Sequence, residues 1–515
     1  MNNSTVEANS KFFFSGPEEW NRRYLSIVKA GYKFSEDNPL QIKNGTSDQL
    51  ARFEKVIDLK EYKLPAHLRF SKIDFLAKKI LFPYSAYIYE NGGTVSRRGF
   101  TSIELSSCED FSLEVPSHTD QIHIENSKNI DQLIFPSGGR LFDFKDLSDV
   151  DCINISPQKG KAFDSASFNN VRADIVSIEG SESFDPQVKT IDKAYRPNIY
   201  VSDESDIEEF DVSNCWPNLL NIQNSSLGRA SLKKVKVADI IYLSVKWLNE
   251  LELIDVRVSH NTTLLAESAN TNLSSLQIQR CNFCNEIELS NFVIADARFI
   301  ATNFNNKTVF HNITFDGIPD FSDSKLFPIT IFPTPERFIL PDYYGEEQKH
   351  SEIESVTQKL IVLKKVAADT MNREMQTFFF KVLQEYRLSV GTMSITERLF
   401  SVLYRRSSDY GNNLLYPIAW FFGLLFCVWL PLIALAIFLS TDGSHKILMQ
   451  APDFGIWKQA LREALVSSFI PFRSLANFEG ELPWWGYLVI VTQGFTSVWL
   501  ASVFALTLRW KFKRD

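Results

Sequence analysis

This 515-residue chain lacks the short motifs by which common enzymes hold a nucleotide, a phosphate, a serine nucleophile or a zinc ion. G-x-G-x-x-G after a strand, G-x-x-x-x-G-K-[ST], G-x-S-x-G and H-E-x-x-H are all missing. Histidine is scarce and scattered, seven residues in all. His123 and His311 fall in predicted strands, where satisfied structural roles are expected. No enzymatic activity, catalytic residue, cofactor or metal site is therefore expected. Cysteine is sparse too, with six residues at 108, 152, 215, 281, 284 and 427. Cys281 and Cys284 form a single C-x-x-C with no second pair and no His at zinc spacing. Small apolar residues in a strand-rich core are the expected reading, with a metal or redox role as the alternative. Basic excess is absent as well: a formal charge of -8 argues against a broad nucleic-acid-binding face. The segment Met1 to Trp20 has no basic stretch followed by an apolar one, since Phe12, Phe13 and Phe14 stand alone before Gly16 and Pro17. No secretory signal is expected, which leaves the soluble part in the cytoplasm.

Two long uncharged apolar runs stand out near the C-terminus, from Leu414 to Leu439 and from Trp484 to Leu508. A hydrocarbon core needs roughly 20 apolar residues in helical form, so each run is long enough to cross it. The first shows no polar stripe of the kind a buried core helix carries. Mean hydropathy over the whole chain is -0.12, so the membrane part is a minority. Phenylalanine is abundant, 42 residues, which suits a large β-rich core.

Residues 1–95 are read as a mixed region and cap, with a short helix expected over Asp48 to Lys60 before Pro65. From about Thr101 to Phe321, apolar-x-apolar triplets recur: Leu220 to Ile222, Ala230 to Leu232, Ile241 to Leu243, Leu251 to Leu253, Thr263 to Leu265, Leu276 to Ile278, Ile287 to Leu289 and Arg298 to Ile300. Their starts lie ten to thirteen residues apart. Ile122 to Ile124, Leu133 to Phe135, Leu141 to Asp143 and Ile153 to Ile155 keep the same rhythm upstream. Asn, Ser, Asp and Gly lie between the triplets, as turns require. No such unit buries its apolar face alone, but stacked units share one continuous core. Two triplets per coil give coils of about 20 to 25 residues, in the range of β-helix or leucine-rich-like solenoids. A β-sandwich is the alternative. The solenoid is placed at 96–322, with a Pro-rich linker over 323–345 carrying Pro328, Pro333, Pro335 and Pro341.

Helical spacing then takes over, and juxtamembrane helices are predicted across 346–411. Leu360, Leu363, Val366, Ala367, Met371, Met375, Phe378, Phe379 and Leu383 follow a 3.6-residue period. Ser394 with Glu397 reads as a capping box opening a second helix. That helix carries Leu399, Phe400, Leu403 and Tyr404 up to Arg405 and Arg406. Residues 412–515 form the membrane domain. Arg405 and Arg406 before the first span, with Arg509, Lys511, Lys513 and Arg514 after the second, place both termini in the cytoplasm and the 440–483 loop outside. Trp484, Trp485 and Trp510 are interface anchors.

The outer loop contains an amphipathic segment, Lys458 to Phe472, too short to span and stopped by Pro471. Leu461, Leu465 and Phe469 share one face. Such a segment either lies flat in the interface or dips in as a re-entrant helix. In the second span, Thr492, Gln493, Thr496, Ser497 and Thr507 fall within an arc of about 140°, with Ser502 outside it. Gln inside a bilayer is costly without a partner or water. One protomer with two spans is expected to hide this stripe poorly, so several copies would surround an axis. The candidate pore-lining set is Thr492, Gln493, Thr496, Ser497 and Thr507 with Ser467 and Ser468 from the loop; dry helix–helix contact is the alternative. Pro431, Gly411 and Pro471 are candidate hinge or gating positions. Two helices with both termini inside resemble the two-span ion channels, although no TVGYG-like filter is present.

The chain also resembles bacterial pentapeptide-repeat-like β-solenoid proteins that carry a C-terminal two-span membrane domain. The residues behind this are Phe304, Phe310, Phe315, Pro319, Asp320 and Phe321, then Asn372 to Glu374, Phe378 to Phe380 and Glu385. Tyr404 to Arg406, Ser408 to Gly411 and Ile470 to Phe472 complete the set, which covers about 295–515. Upstream, the A-[DN]-[LF]-x-x pentapeptide does not persist. The resemblance implies a channel-like domain in the bacterial inner membrane. For some members of similar layout it implies a toxic or phage-defence effector. The function expected is an oligomeric two-span pore gated by a cytoplasmic solenoid that meets a protein trigger. Its partners would be membrane lipid and further copies of the chain. A membrane-anchored scaffold that does not conduct is the alternative.

Overall fold

The computed structural model describes residues 18–22 and 40–43, most of 56–340, and then 350–410, 413–441, 454–470 and 482–512. They belong to two compact units, one β (1–342 with 369–371) and one helical (343–368 and 372–515).

The β unit is a parallel solenoid of about 11 turns, spanning 57–339. Two stacks of strands run its length and belong to one bent sheet. In the first stack Ile122 pairs with Phe142, and further along Leu220 pairs with Ile241. In the second, Leu251 pairs with Leu276 and Leu276 with Ala297. A third stack uses two-residue strands only: Lys236–Val237, Arg257–Val258, Asn282–Phe283 and Asn303–Phe304. The coil is therefore three-sided, with two sides too long for a five-residue repeat. The triplets do mark the strands, since each places alternate residues inward.

The corners account for the Asn and Asp content. Asn126, Asp146, Asn170, Asn224, Asn291 and Asn312 all have positive φ at one recurring corner. Asn and Asp tolerate this left-handed conformation better than other side chains. Their amides also reach the next coil: Asn312 donates to Asn291 Oδ1 at 3.0 Å and Asn170 to Asp146 Oδ1 at 2.8 Å. Gly180 meets a different demand, because a Cβ there would lie 2.0 Å from the Asn214 carbonyl.

Phenylalanines stack inside. Phe283 lies over Phe304 (5.6 Å), Phe299 over Phe321 (4.5 Å) and Phe310 over Phe332 (5.6 Å). Each such ring buries a large apolar area, which is the main favourable term in the fold.

Both ends of the solenoid lie beyond the bounds read from the triplets. His67–Ser71 and Asp74–Leu81 already pair in the stacks, and Leu40–Lys43 adds to His67–Ser71. An antiparallel hairpin, Ser85–Glu90 with Gly93–Arg98, interrupts the rhythm there and hid the early coils. Val56–Asp58 is a strand, not the end of a helix over 48–60. Downstream, the Pro-rich stretch is partly built into the coil. Asn303 bridges to Lys325, Val309 to Ile331, and Phe315 pairs with Phe338.

The helical unit opens with α1 (His350–Asp369) and α2 (Arg373–Val390). Asn372 caps α2 by accepting from the Met375 N–H, and Gly391 ends it at φ 74°. α3 (Ile395–Ser408) begins with the Ser394–Glu397 capping box read from the sequence. α4 runs from Leu415 to Thr441 with a π turn at Leu425–Trp429. α5 (Phe454–Phe469) and α6 (Trp484–Phe512) complete the unit.

Candidate functional site: the C-terminal helical module

α4 and α6 each contain 26 residues long and apolar enough to cross a membrane, with mean hydropathy 2.6 and 1.7. Of an apolar stretch of 18 residues in each, only 33% and 39% are buried in the chain's own fold, where a soluble core helix would be mostly buried. α5 packs on both, and its contact face is made of small residues. Ala460 and Ala464 join Ala434, Ala436, Ile433, Ile437, Leu482 and Ile490 in one cluster. Small side chains let helix backbones approach closely. At Gly486 an added Cβ would lie 3.1 Å from the Ala436 Cβ.

Polar groups are buried beside this apolar cluster. The module's buried positions include Gln493, Ser467, Ser468, Ser497 and Thr507, while Phe469 (75% exposed), Phe495 (64%), Leu488 and Phe426 point outward. Of the face expected from the sequence to be the apolar one of α5, Leu465 and Phe469 are exposed and Leu461 is half-buried. The buried face is the one carrying Ala460, Ala464, Ser467 and Ser468. α5 also starts at Phe454, four residues before the segment read from the sequence.

Gln493 sits at the centre with no exposed surface. Its Nε2 donates to the Ala464 carbonyl at 2.7 Å and to Ser468 Oγ at 2.9 Å. Ser468 in turn donates to the Ala464 carbonyl, and Ser467 to the Glu463 carbonyl. Within one chain, then, α5 covers much of the polar stripe, contrary to the expectation that a single protomer hides it poorly. Over Gln493 the cover is complete but the pairing is not: among the described residues, its buried Oε1 has no donor. Thr492 and Thr496 lie toward the open side of α6, each bonded to a carbonyl one turn back (Leu488 at 2.9 Å, Thr492 at 2.7 Å). Thr507 and Ser502 do the same.

Pro431 explains the π turn. It has no N–H for the Cys427 carbonyl and its ring crowds that position, so the ladder widens just before it. Gly411 and Pro471 lie outside the described residues.

The short motifs before the first span form a latch between α2 and α3. Asp409, left-handed at φ 49°, closes α3 and pairs with Lys381 at 3.0 Å. Tyr410 is buried at φ 57°, and its hydroxyl lies 3.0 Å from Ser401 Oγ. Burial pushes its phenol up. Phe380 and Tyr404 pack edge-on against its ring. Trp420, near the start of α4, donates Nε1 to the Arg406 carbonyl at 2.8 Å. A groove of about 460 Å³ lies between α2, α3 and α6, lined by Arg387, Glu397, Phe400, Trp499, Val503 and Leu506 among others. Sequence reasoning missed both latch and groove, because they join residues from helices far apart in the chain.

On the solenoid, Cys281 is buried and donates Sγ to the Gln279 and Leu253 carbonyls. Burial pushes its thiol up to about 12, so it is a poor thiolate. No group of three His, Cys, Asp or Glu that would hold a metal is present among the described residues. His123 Nδ1 lies 2.8 Å from Asp143, and Nε2 lies 3.3 Å from Glu125. The Asp143 hydrogen bond raises its pKa, opposed by burial and helped by Glu125.

Comparison of the chain with family models, with curated proteins and with solved structures finds no match.

Proposed function

We propose that this chain is a membrane effector in which several copies assemble an ion conduit through α4, α5 and α6, controlled by the solenoid. The observation that carries the reading is Gln493. It lies nine residues after Trp484, about 14 Å down a helix that rises 1.5 Å per residue. In a hydrocarbon core about 30 Å thick, that is near mid-depth. A buried carbonyl oxygen without a donor there costs about 1–3 kcal/mol, and that cost is relieved when the helices part far enough to admit water or a donor from a sister copy.

The tether to Ser468 brings the end of α5 to the same depth. Phe469 also lies against Phe421, with ring centroids 6.2 Å apart. On this reading α5 is a re-entrant helix and not a flat one. Backbone that turns back inside a bilayer is tolerated only when buried in protein or facing a water-filled cavity. The C-terminal end of α5 carries partial negative charge, which favours cations over anions at mid-depth. Arg462 and Lys458, higher on α5, snorkel to the outer surface.

The Lys/Arg flanks put both termini in the cytoplasm. A bacterial inner membrane and a toxic, phage-defence role follow from the resemblance noted above. The solenoid offers an extended surface for a protein trigger.

A non-conducting scaffold is the second reading, and it draws on the nitrogen side of Gln493, already paired inside one chain. Expression of the full chain in bacteria with a potential-sensitive dye separates the two. Depolarisation that scales with membrane abundance supports the conduit; an unchanged potential at high abundance supports the scaffold.

A further inference from the structure

We propose that the groove between α2, α3 and α6 holds a phospholipid from the leaflet on the Lys/Arg side, its phosphate on Arg387 and an acyl chain along Trp499, Val503 and Leu506. The proposal rests on the membrane reading of α4 and α6, but not on conduction.

Three observations converge on lipid. The first is chemical layout. The groove lining combines the apolar Phe400, Trp499, Val503 and Leu506 with the cation Arg387. Phe400 and Trp499 are in ring contact at 5.7 Å. Amphipathic ligands fit such a layout: a tail takes the apolar wall and a charged head takes the guanidinium, which suits phosphate geometry.

The second is the surface of α3. Ile395 (88% exposed), Leu399, Phe400 and Leu403 all stand outward, and at 100° per residue they fall within about 140° of arc. A helix with such a stripe lies in a membrane interface with its apolar face about 5–10 Å deep. Its C-terminal end is already fastened to α4 by the Trp420 bond to the Arg406 carbonyl. The apolar window of α6 is 26 residues long, about 39 Å, against a hydrocarbon core of about 30 Å. The excess leaves its last turns beside α3 at the level of the headgroups.

The third is charge. Arg387 is half-buried in the last turn of α2 and makes no ion pair among the described residues. Glu397 also lines the groove, but one of its oxygens is held by Ser394 in the capping box. The Glu397 carboxyl is held below its usual range first by Ser394 and also by the Arg387 charge, but it makes no direct bond to the guanidinium, and a phosphate supplies one. Both headgroups bring the same phosphate charge, but only ethanolamine brings an ammonium to pair with the Glu397 carboxylate, so a zwitterionic headgroup is preferred to an acidic one.

The test is native mass spectrometry of the full chain, extracted from membranes in mild detergent, stripped and offered phosphatidylethanolamine or phosphatidylglycerol. One bound phosphatidylethanolamine per chain is expected, retained at least fivefold over Arg387→Gln, with Arg387→Lys intermediate and thermal unfolding unchanged. Equal retention by Arg387→Gln overturns the proposal, as does preferential uptake of phosphatidylglycerol. Disulfide-linked dimers through Ser502→Cys, formed with or without lipid, would show that a second copy fills the groove, and would also overturn it. A chain that is recovered without detergent in the soluble fraction fails the membrane reading itself. A membrane-extracted chain indifferent to Arg387 fails only the lipid site.

Discussion

A carboxamide in hydrocarbon is costly until each polar atom finds a partner, and Gln493 has two acceptors for its nitrogen on α5. Replacing it with Leu removes both bonds and keeps the volume. Hydrogen bonds between membrane helices are worth about 0.6–1.7 kcal/mol, so Gln493→Leu is expected to lower the stability of the detergent-solubilised chain by about 1–2 kcal/mol, read from thermal unfolding. That Gln493 needs a partner was legible in the sequence. Which partner it has was not, because Ala464 and Ser468 lie 29 and 25 residues away across a turn with no pattern of its own. His123 gives a pH signature on the solenoid. Its folded pKa is raised by Asp143 and Glu125, so its stabilising contribution is full below the unfolded value of about 6.5 and fades as pH rises through the folded one. The stability difference between the native chain and His123→Gln, from urea titration, is therefore expected to shrink between pH 6 and pH 8. A constant or growing difference would contradict that assignment.

Elements differ in how openly their sequences declare them. The two long strand stacks were legible because alternate residues face one core, as in Leu251, Leu253, Leu276 and Ile278. The third stack was not, since two residues such as Val258 or Phe283 form no period. The corner positions behind it are chemically specific. Asn291 has φ 70°, accepts from Asn312 and donates to the Ala266 carbonyl at 2.9 Å. Asn291→Ala adds left-handed strain of about 1–2 kcal/mol and loses those bonds at about 1 kcal/mol. A loss of about 2–3 kcal/mol in urea unfolding is expected, against about 1 kcal/mol for Asn291→Gly, which loses the side-chain bonds but takes up the left-handed backbone without strain.

Among the helices, α5 was read as amphipathic with Leu461, Leu465 and Phe469 on one face, lying flat in the interface or dipping in. The face that packs inside the chain carries Ala460, Ala464, Ser467 and Ser468, small residues that make no apolar stripe in the sequence. Gly486→Leu tests the small-residue packing: its side chain would enter the space of Ala436. Reduced recovery of a monodisperse detergent-extracted chain is expected, with Gly486→Ala milder.

At the scale of the whole molecule, the sequence declares a solenoid followed by two apolar helices because burial periodicity and run length are local properties. Coil shape, the latch at Tyr410 and the tether of α5 to Gln493 depend on contacts between distant segments, and no run of residues encodes them by itself. The helical unit buries Gln493, Ser467 and Ser468 beside an apolar cluster rich in alanine and leaves Phe469 and Phe495 outside. Copies of it are proposed to enclose water because the Gln493 oxygen is unpaired among the described residues. The direct measurement is potassium flux from sealed liposomes holding the full-length chain at known, equal densities. A conduit predicts rapid release with the native sequence and a release reduced about tenfold or more with Gln493→Leu. Release no faster than from empty liposomes, with the native chain demonstrably inserted, would contradict it.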